Sequence, residues 1–309
     1  MDGTSVLRSG AASSAQALPG LRARRRFWRG GLQGSEYTWA IAFVVPYIAI
    51  FIVFVIYPIV YGFWLGSKPS LYPELFDDPV YKMTVVNTLL FVGFGVNVRN
   101  AIALLLSGFF MRKGWWVKGL LMIFVLPWAV PMLPTFISLH WMFDGDYGLL
   151  NNLLWSVFHI NGAHWLDTRW LALGSAIVSF IWKWMPFWTI ILLAGRMAIP
   201  TDIYEAAKVD GATGVKSFFH ITVPMLANLY LMITLISTIW TLGDFNTIYF
   251  VTGGGPAMST YVLANLGIRD AFDLADPRLG VAAVLTALPV LIPLTVILMR
   301  KLKHAEVQL

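Results

Sequence analysis

The stretch IPTDIYEAAKVDGATGVKSFFHITVP, residues 199–224, packs charges, glycines and prolines between two apolar runs. Pro200 followed by Thr201 or Asp202 reads as a helix start, with Asp202 and Glu205 near its positive end. Ile203, Ala206 and Ala207 share one face at helical spacing. Gly211 and Gly214 stop that helix and permit a tight turn, after which a second helix runs from about Val215 toward Pro224. The flanking runs, residues 170–195 and 225–252, each exceed the ~20 apolar residues a helix needs to cross a hydrocarbon core. A short helix–turn–helix is therefore expected on the membrane surface, as a docking element between two spans.

Outward from this loop, residues 39–64, 83–111, 119–143 and 280–299 are apolar runs of similar length. The expected fold is all-α and polytopic, with six transmembrane helices and the helical loop 196–228 between spans four and five. Three charges fall inside spans: Arg99, Lys183 and Asp244. Prolines also fall inside, among them Pro46, Pro58, Pro127, Pro131, Pro134, Pro186, Pro289 and Pro293. Neighbouring helices in a membrane bundle satisfy the carbonyls that proline frees.

Composition agrees. The 309 residues are 58% hydrophobic and 12% charged, where soluble domains hold about a quarter charged. Mean hydropathy is +0.71. An aromatic share of 15%, with 14 Trp, suits many membrane–water boundaries. Cysteine is absent, which excludes disulfides, thiolate metal sites and a Cys nucleophile. The net charge of +6 does not signal nucleic acid, because the basic residues flank apolar spans.

Their distribution predicts orientation. With both termini cytoplasmic, the inner side holds the tail arginines from Arg8 to Arg29, then Arg112, Lys113, Lys118, Arg196, Lys208, Lys216, Arg300, Lys301 and Lys303. The outer side holds only Lys68, Lys82, Arg169, Arg269 and Arg278, and its loops are acidic. Residues 1–36 are expected as a basic, partly disordered cytoplasmic tail, 37–304 as the membrane domain, and 305–309 as a cytoplasmic C-terminal tail. Arg24-Arg25-Arg26-Phe27 resembles a twin-arginine signal only loosely. The apolar run behind it is too long for one, so a retained first helix is expected.

The loop resembles the cytoplasmic signature of permease subunits in binding-protein-dependent ABC importers. That signature is Glu-Ala-Ala, three residues, Gly, nine residues, Ile, one residue, Leu, Pro. Here it falls on Glu205, Ala206, Ala207, Gly211, Ile221 and Pro224, with Asp210 before the glycine and Val223 in place of Leu. The stretch Trp240–Tyr249, the run Thr252-Gly253-Gly254-Gly255-Pro256 and Ser259-Thr260 resemble the carbohydrate type related to the larger maltose permease subunit. So do Pro46, Tyr57-Pro58-Ile59 and Asn87-Thr88. This resemblance implies a permease subunit of the bacterial cytoplasmic (inner) membrane, moving a carbohydrate or related polar solute inward by alternating access. It implies as partners a second permease subunit forming a heterodimer, two ATPase subunits and a periplasmic or lipid-anchored solute-binding protein, all within membrane lipid. Glu205, Ala206, Ala207, Asp210, Gly211, Ile221 and Pro224 are then the ATPase-coupling residues.

Catalytic equipment is not found. There is no GxxxxGK[ST] phosphate loop, no HExxH and no GxSxG, and five scattered histidines suggest no metal site. ATP and Mg are accordingly expected in partner subunits, and no cofactor or metal in this chain. Arg99, Lys183, Trp182, Asp244 and Asn246 are the candidates for a substrate pathway between spans two, four and five. Buried charges there must face the bundle interior or water, and an ion pair of Asp244 with Lys183 or Arg99 is an equal reading. A surplus cation would tolerate a polar or acidic carbohydrate. Trp182, Trp184 and Trp188 offer flat faces to a sugar ring. An amino-acid or polyamine permease is less favoured, because Thr252–Pro256 matches the carbohydrate type. A secondary transporter would usually show inverted repeats, and none is seen. A membrane transferase would need a placed acid, base or metal.

Overall fold

The computed structural model describes residues 30–306, and every regular element among them is helical. The chain divides into two compact units, Met1–Tyr61 and Gly62–Leu309. In the first, α1 (Gly30–Phe51) continues through a π-helical turn, Ile52–Ile56, into α2 (Tyr57–Gly66), which crosses the boundary. The wide turn lies immediately before Pro58. A proline ring clashes with the carbonyl four residues back, and a π turn moves that carbonyl aside. The same pairing recurs at Phe218–Thr222 before Pro224. The tail expected over residues 1–36 lies largely outside the described residues, although α1 already begins at Gly30.

The second unit holds α3 (Leu71–Asp77), α4 (Pro79–Leu89), α5 (Asn97–Phe110), α6 (Trp115–Ala129), α7 (Met132–Met142), α8 (Leu149–Phe158) and α9 (Arg169–Met197). It continues with α10 (Thr201–Val209), α11 (Val215–Met225), α12 (Ala227–Leu242), α13 (Asn246–Thr252), α14 (Leu263–Ile268), α15 (Pro277–Leu285) and α16 (Leu288–Glu306). Asp78 and Asp276 start α4 and α15 alike: each carboxylate accepts from backbone N–H groups of the first turn, with proline next in sequence.

Four helical stretches are long and apolar enough to cross a membrane: Trp39–Gly66, Pro79–Phe110, Arg169–Met197 and Pro277–Leu302. Two further candidates are bent pairs, so the total is up to six if each pair is one span. The run 119–143 is not one straight helix. Val130, preceding Pro131, is extended at ψ 141°, and α6 and α7 meet at 96°. The run 225–252 is also broken: α12 ends at Leu242, and α13 starts after Gly243-Asp244. At its other end α12 meets α11 at 66°.

The core sits where α5, α7, α9 and α13 meet the π-helical segment Leu90–Val96. Phe91 and Phe180 are buried with ring centroids 4.9 Å apart. A small residue lets α5 and α9 approach closely: Ala103 is fully buried against Trp188 and Leu192 of α9. A Cβ at Gly108 would collide with the Arg196 guanidinium of α9. In hydrocarbon this matters more than in water, because lipid gives apolar helix faces little drive to associate and close packing must supply it.

Candidate functional site

The helices α5, α7, α9, α12 and α13 border a cavity of about 240 Å³. Phe180, Trp184 and Trp188 of α9 line it, spaced four residues apart and so stacked on one helix face. Trp240 of α12 completes an aromatic wall, its ring centroid 5.8 Å from that of Trp188. Arg99 lines the same cavity, with its guanidinium carbon 4.9 Å from the Phe180 ring and 5.2 Å from the Trp188 ring. Its Nε and Nη2 donate to the Asn100 side-chain oxygen at 3.3 and 3.1 Å. Asp244 and Asn246 stand at the edge between α12 and α13. The Asp244 carboxylate accepts from the Thr247 backbone N–H at 3.1 Å and from the Thr247 hydroxyl. Ser237 and Thr241 add hydroxyls. Chemically, flat rings face one cation, one carboxylate and several hydroxyls.

Arg99, Asp244 and Asn246 are thus brought to one cavity, while Lys183 and Trp182 are placed elsewhere. Lys183 is 2% exposed, and its ammonium donates to the Pro127 carbonyl at 2.7 Å, to the Val130 carbonyl and to Thr135 Oγ1 at 3.4 Å. These acceptors surround the break between α6 and α7, whose carbonyls lose helical partners there. Lys183 therefore holds the bend. Trp182 projects from a different face of α9, beside Pro127 and Val130, and is 43% exposed. Among the described residues, Asp244 forms no ion pair with Arg99 or Lys183. The cavity residues beyond the sequence candidates are Phe180, Met132, Ser237, Trp240, Thr241 and Gly243. Extending the four-residue spacing from Trp184 and Trp188 back to Phe180 would have exposed the first.

The loop residues lie on α10, α11 and the turn between them. After α10, the Ala212 N–H donates to the Ala207 carbonyl at 2.8 Å and the Gly211 N–H to the Lys208 carbonyl at 3.1 Å. This is the Schellman closure, and it requires the left-handed conformation that Gly211 adopts at φ +74°. Glu205, Ala206, Asp210, Gly211 and Pro224 are exposed, and Ala207 and Ile221 half-buried. The Glu205 side chain has no hydrogen bond or ion pair among the described residues. Beyond the sequence candidates, Val209 and Val215 flank the turn with 88% and 74% exposure. Two contacts tie the loop to the helices. Tyr204 Oη lies 3.0 Å from Thr222 Oγ1. Arg196, near the end of α9 and 7% exposed, holds its guanidinium carbon 5.5 Å from the Phe218 ring.

At the opposite end, Asn87 of α4 donates to the Ser259 and Tyr261 carbonyls at 2.7 and 2.9 Å and accepts from Arg169 at 2.9 Å. These bonds fix the segment after Gly253, whose φ of +61° ends α13. Nearby, Arg269 bonds Asp270 at 2.6 Å and reaches Asp78 at 3.7 Å. Burial pushes the Asp270 carboxyl above its usual range, and the Arg269 guanidinium opposes that shift.

Residues 99–305 match the family described as binding-protein-dependent transport system inner membrane component. The chain belongs to this family. The matched region takes in the cavity, α9 and the whole α10–α11 loop. Among relatives of this inner membrane component is the trehalose/maltose transport system permease protein MalF of Thermococcus litoralis. It is 28% identical over 273 residues, which are 83% of this chain and 91% of the relative. The lactose transport system permease protein LacF of Rhizobium radiobacter is 34% identical over 238 residues, 72% of this chain and 79% of the relative. The sulfoquinovosyl glycerol transport system permease protein SmoG of Agrobacterium fabrum is 33% identical over 203 residues, 62% of each chain. The fold matches a chain of a bacterial ABC transporter involved in the import of the acidic polysaccharide alginate. The TM-score is 0.75 at 20% identity, covering 88% of this chain and 98% of that one.

Proposed function

We propose that this inner membrane component is the permease subunit of an ATP-driven importer that takes a carbohydrate from an external binding protein into the cytoplasm. The cavity carries this reading. The rings of Trp184 and Trp240, with Trp188 packed behind them, suit the apolar C–H faces of a sugar ring, and Asp244, Asn246, Ser237 and Thr241 suit its hydroxyls. The names of the relatives support the same cargo class. With Lys183 committed to the bend, Arg99 is the cation and Asp244 the carboxyl group that line the cavity.

In this reading the chain has six spans, two of them the bent pairs, over residues 37–304, and both termini are cytoplasmic. The helix α10 docks on an ATPase subunit through Glu205 and the small face of Ala206, Ala207 and Gly211, with Val209 and Val215 as apolar contacts. ATP and Mg act in two such ATPase subunits. Their closure moves α10, and the links Tyr204–Thr222 and Arg196–Phe218 carry the displacement to α9 and α12. A second permease subunit completes the pathway, and the outer loops receive the periplasmic or lipid-anchored binding protein. Cargo shifts this cycle only through different affinities for the inward- and outward-open states.

The test is uptake of labelled sugar by proteoliposomes holding the whole importer, its binding protein and ATP. The paired change Trp184→Ala and Trp240→Ala is expected to lower uptake at least about tenfold, the size of a lost ring-stacking contact. ATP hydrolysis stimulated by the empty binding protein should persist. Undiminished uptake would remove the cavity from the pathway.

A further inference from the structure

At the turn between α5 and α6, three cations stand outside the transport machinery. Arg112, Lys113 and Lys118 line a cleft of about 420 Å³, together with the apolar Phe110, Trp115 and Leu121. All three cations are exposed, and among the described residues none forms an ion pair. Arg112 rests over the Phe109 ring, its guanidinium carbon 5.5 Å from the centroid. No carboxylate lines the cleft. α6 begins beside it with no side-chain cap, so first-turn N–H groups add partial positive charge to the positive side chains.

Position narrows the ligand. The cleft sits where two long apolar helical runs end, and Trp115, 86% exposed, stands at its rim. Exposed tryptophan beside such an end marks the depth of lipid headgroups, where aromatic rings concentrate. Basic pockets between spans on the cytoplasmic side hold anionic headgroups, each Lys or Arg adding attraction to a negatively charged leaflet. A free phosphate would use the cations alone. A phospholipid would also cover Phe110, Trp115 and Leu121 with its glycerol and upper acyl chain.

We propose that this cleft binds the phosphate of an anionic phospholipid in the inner leaflet. The inference rests on the orientation that makes the α5–α6 turn cytoplasmic, and it is independent of the cargo.

The test uses the purified importer in mixed micelles of phosphatidylglycerol and phosphatidylcholine, with retained lipid counted by native mass spectrometry. The native complex is expected to retain phosphatidylglycerol at least about tenfold over phosphatidylcholine. The triple change Arg112→Gln, Lys113→Gln and Lys118→Gln should abolish that preference, and Lys118→Gln alone should reduce it roughly fivefold. The charge-conserving pair Lys113→Arg and Lys118→Arg should preserve it, which separates charge from folding. Equal retention of both lipids by the native complex, an unchanged preference in the triple variant, or full displacement by millimolar inorganic phosphate would overturn the proposal. A non-carbohydrate cargo would leave every one of these readings as expected, so the lipid site and the cargo reading fail separately.

Discussion

Arg99 and Lys183 are both cations within apolar helices, each costing roughly 2.5–3.5 kcal/mol to insert, and the fold offsets that cost in two ways. Lys183 spends its donors on the Pro127 and Val130 carbonyls and Thr135. Arg99 keeps its guanidinium against two aromatic rings at the cavity wall. Their substitutions should therefore separate. Lys183→Met leaves the Pro127 and Val130 carbonyls at the bend without their donor and should lower the stability of the complex by about 1–3 kcal/mol, read as an earlier thermal transition. Arg99→Gln should leave that transition nearly in place and depress sugar uptake roughly tenfold or more. Equal losses of uptake with no change in stability would assign Lys183 to the pathway after all. The residue types and their depth were legible in the sequence. The direction of each side chain was not, because Lys183 finds its acceptors 48 to 56 residues away along the chain.

At the scale of elements, α10 shows how a local rule and the proposed docking function share the same residues. Gly211 closes the helix because only glycine adopts φ +74° cheaply, and a Cβ there would meet open space. Gly211→Ala should cost about 1 kcal/mol of backbone strain and fray α10, measurable as faster amide exchange over Thr201–Val209. Glu205→Arg touches no partner in this chain and should leave its stability unchanged. ATPase co-purification should nonetheless fall at least about tenfold, because a desolvated contact between opposite charges becomes one between like charges. Unaltered co-purification would sink the docking role. This loop was legible from glycine and proline placement because its closure is local. The bend between α6 and α7 was only half legible: Pro131 announced a disturbance, but neither its 96° angle nor the α9 lysine that bonds its carbonyls could be read along the chain.

For the whole molecule, orientation is the property most open to direct measurement. The chain has no cysteine, so a single introduced thiol reports one position without background. With Lys216→Cys, a membrane-impermeant maleimide should label inside-out vesicles only; with Glu74→Cys, it should label intact spheroplasts only. The reverse pattern would overturn the cytoplasmic placement of both α10 and the proposed lipid cleft. By itself the sequence determined that the chain is a set of apolar helices joined by polar loops, and that residues 199–224 form a helical turn. Each of these rests on composition or spacing along a few turns of chain. Only the tertiary structure decided that Phe180, Trp184, Trp188 and Trp240 form one wall, that Lys183 serves a bend, and which runs break. A helix hydrophobic all round carries little amphipathic pattern to reveal its rotation, so its inward face is set by the neighbours it meets.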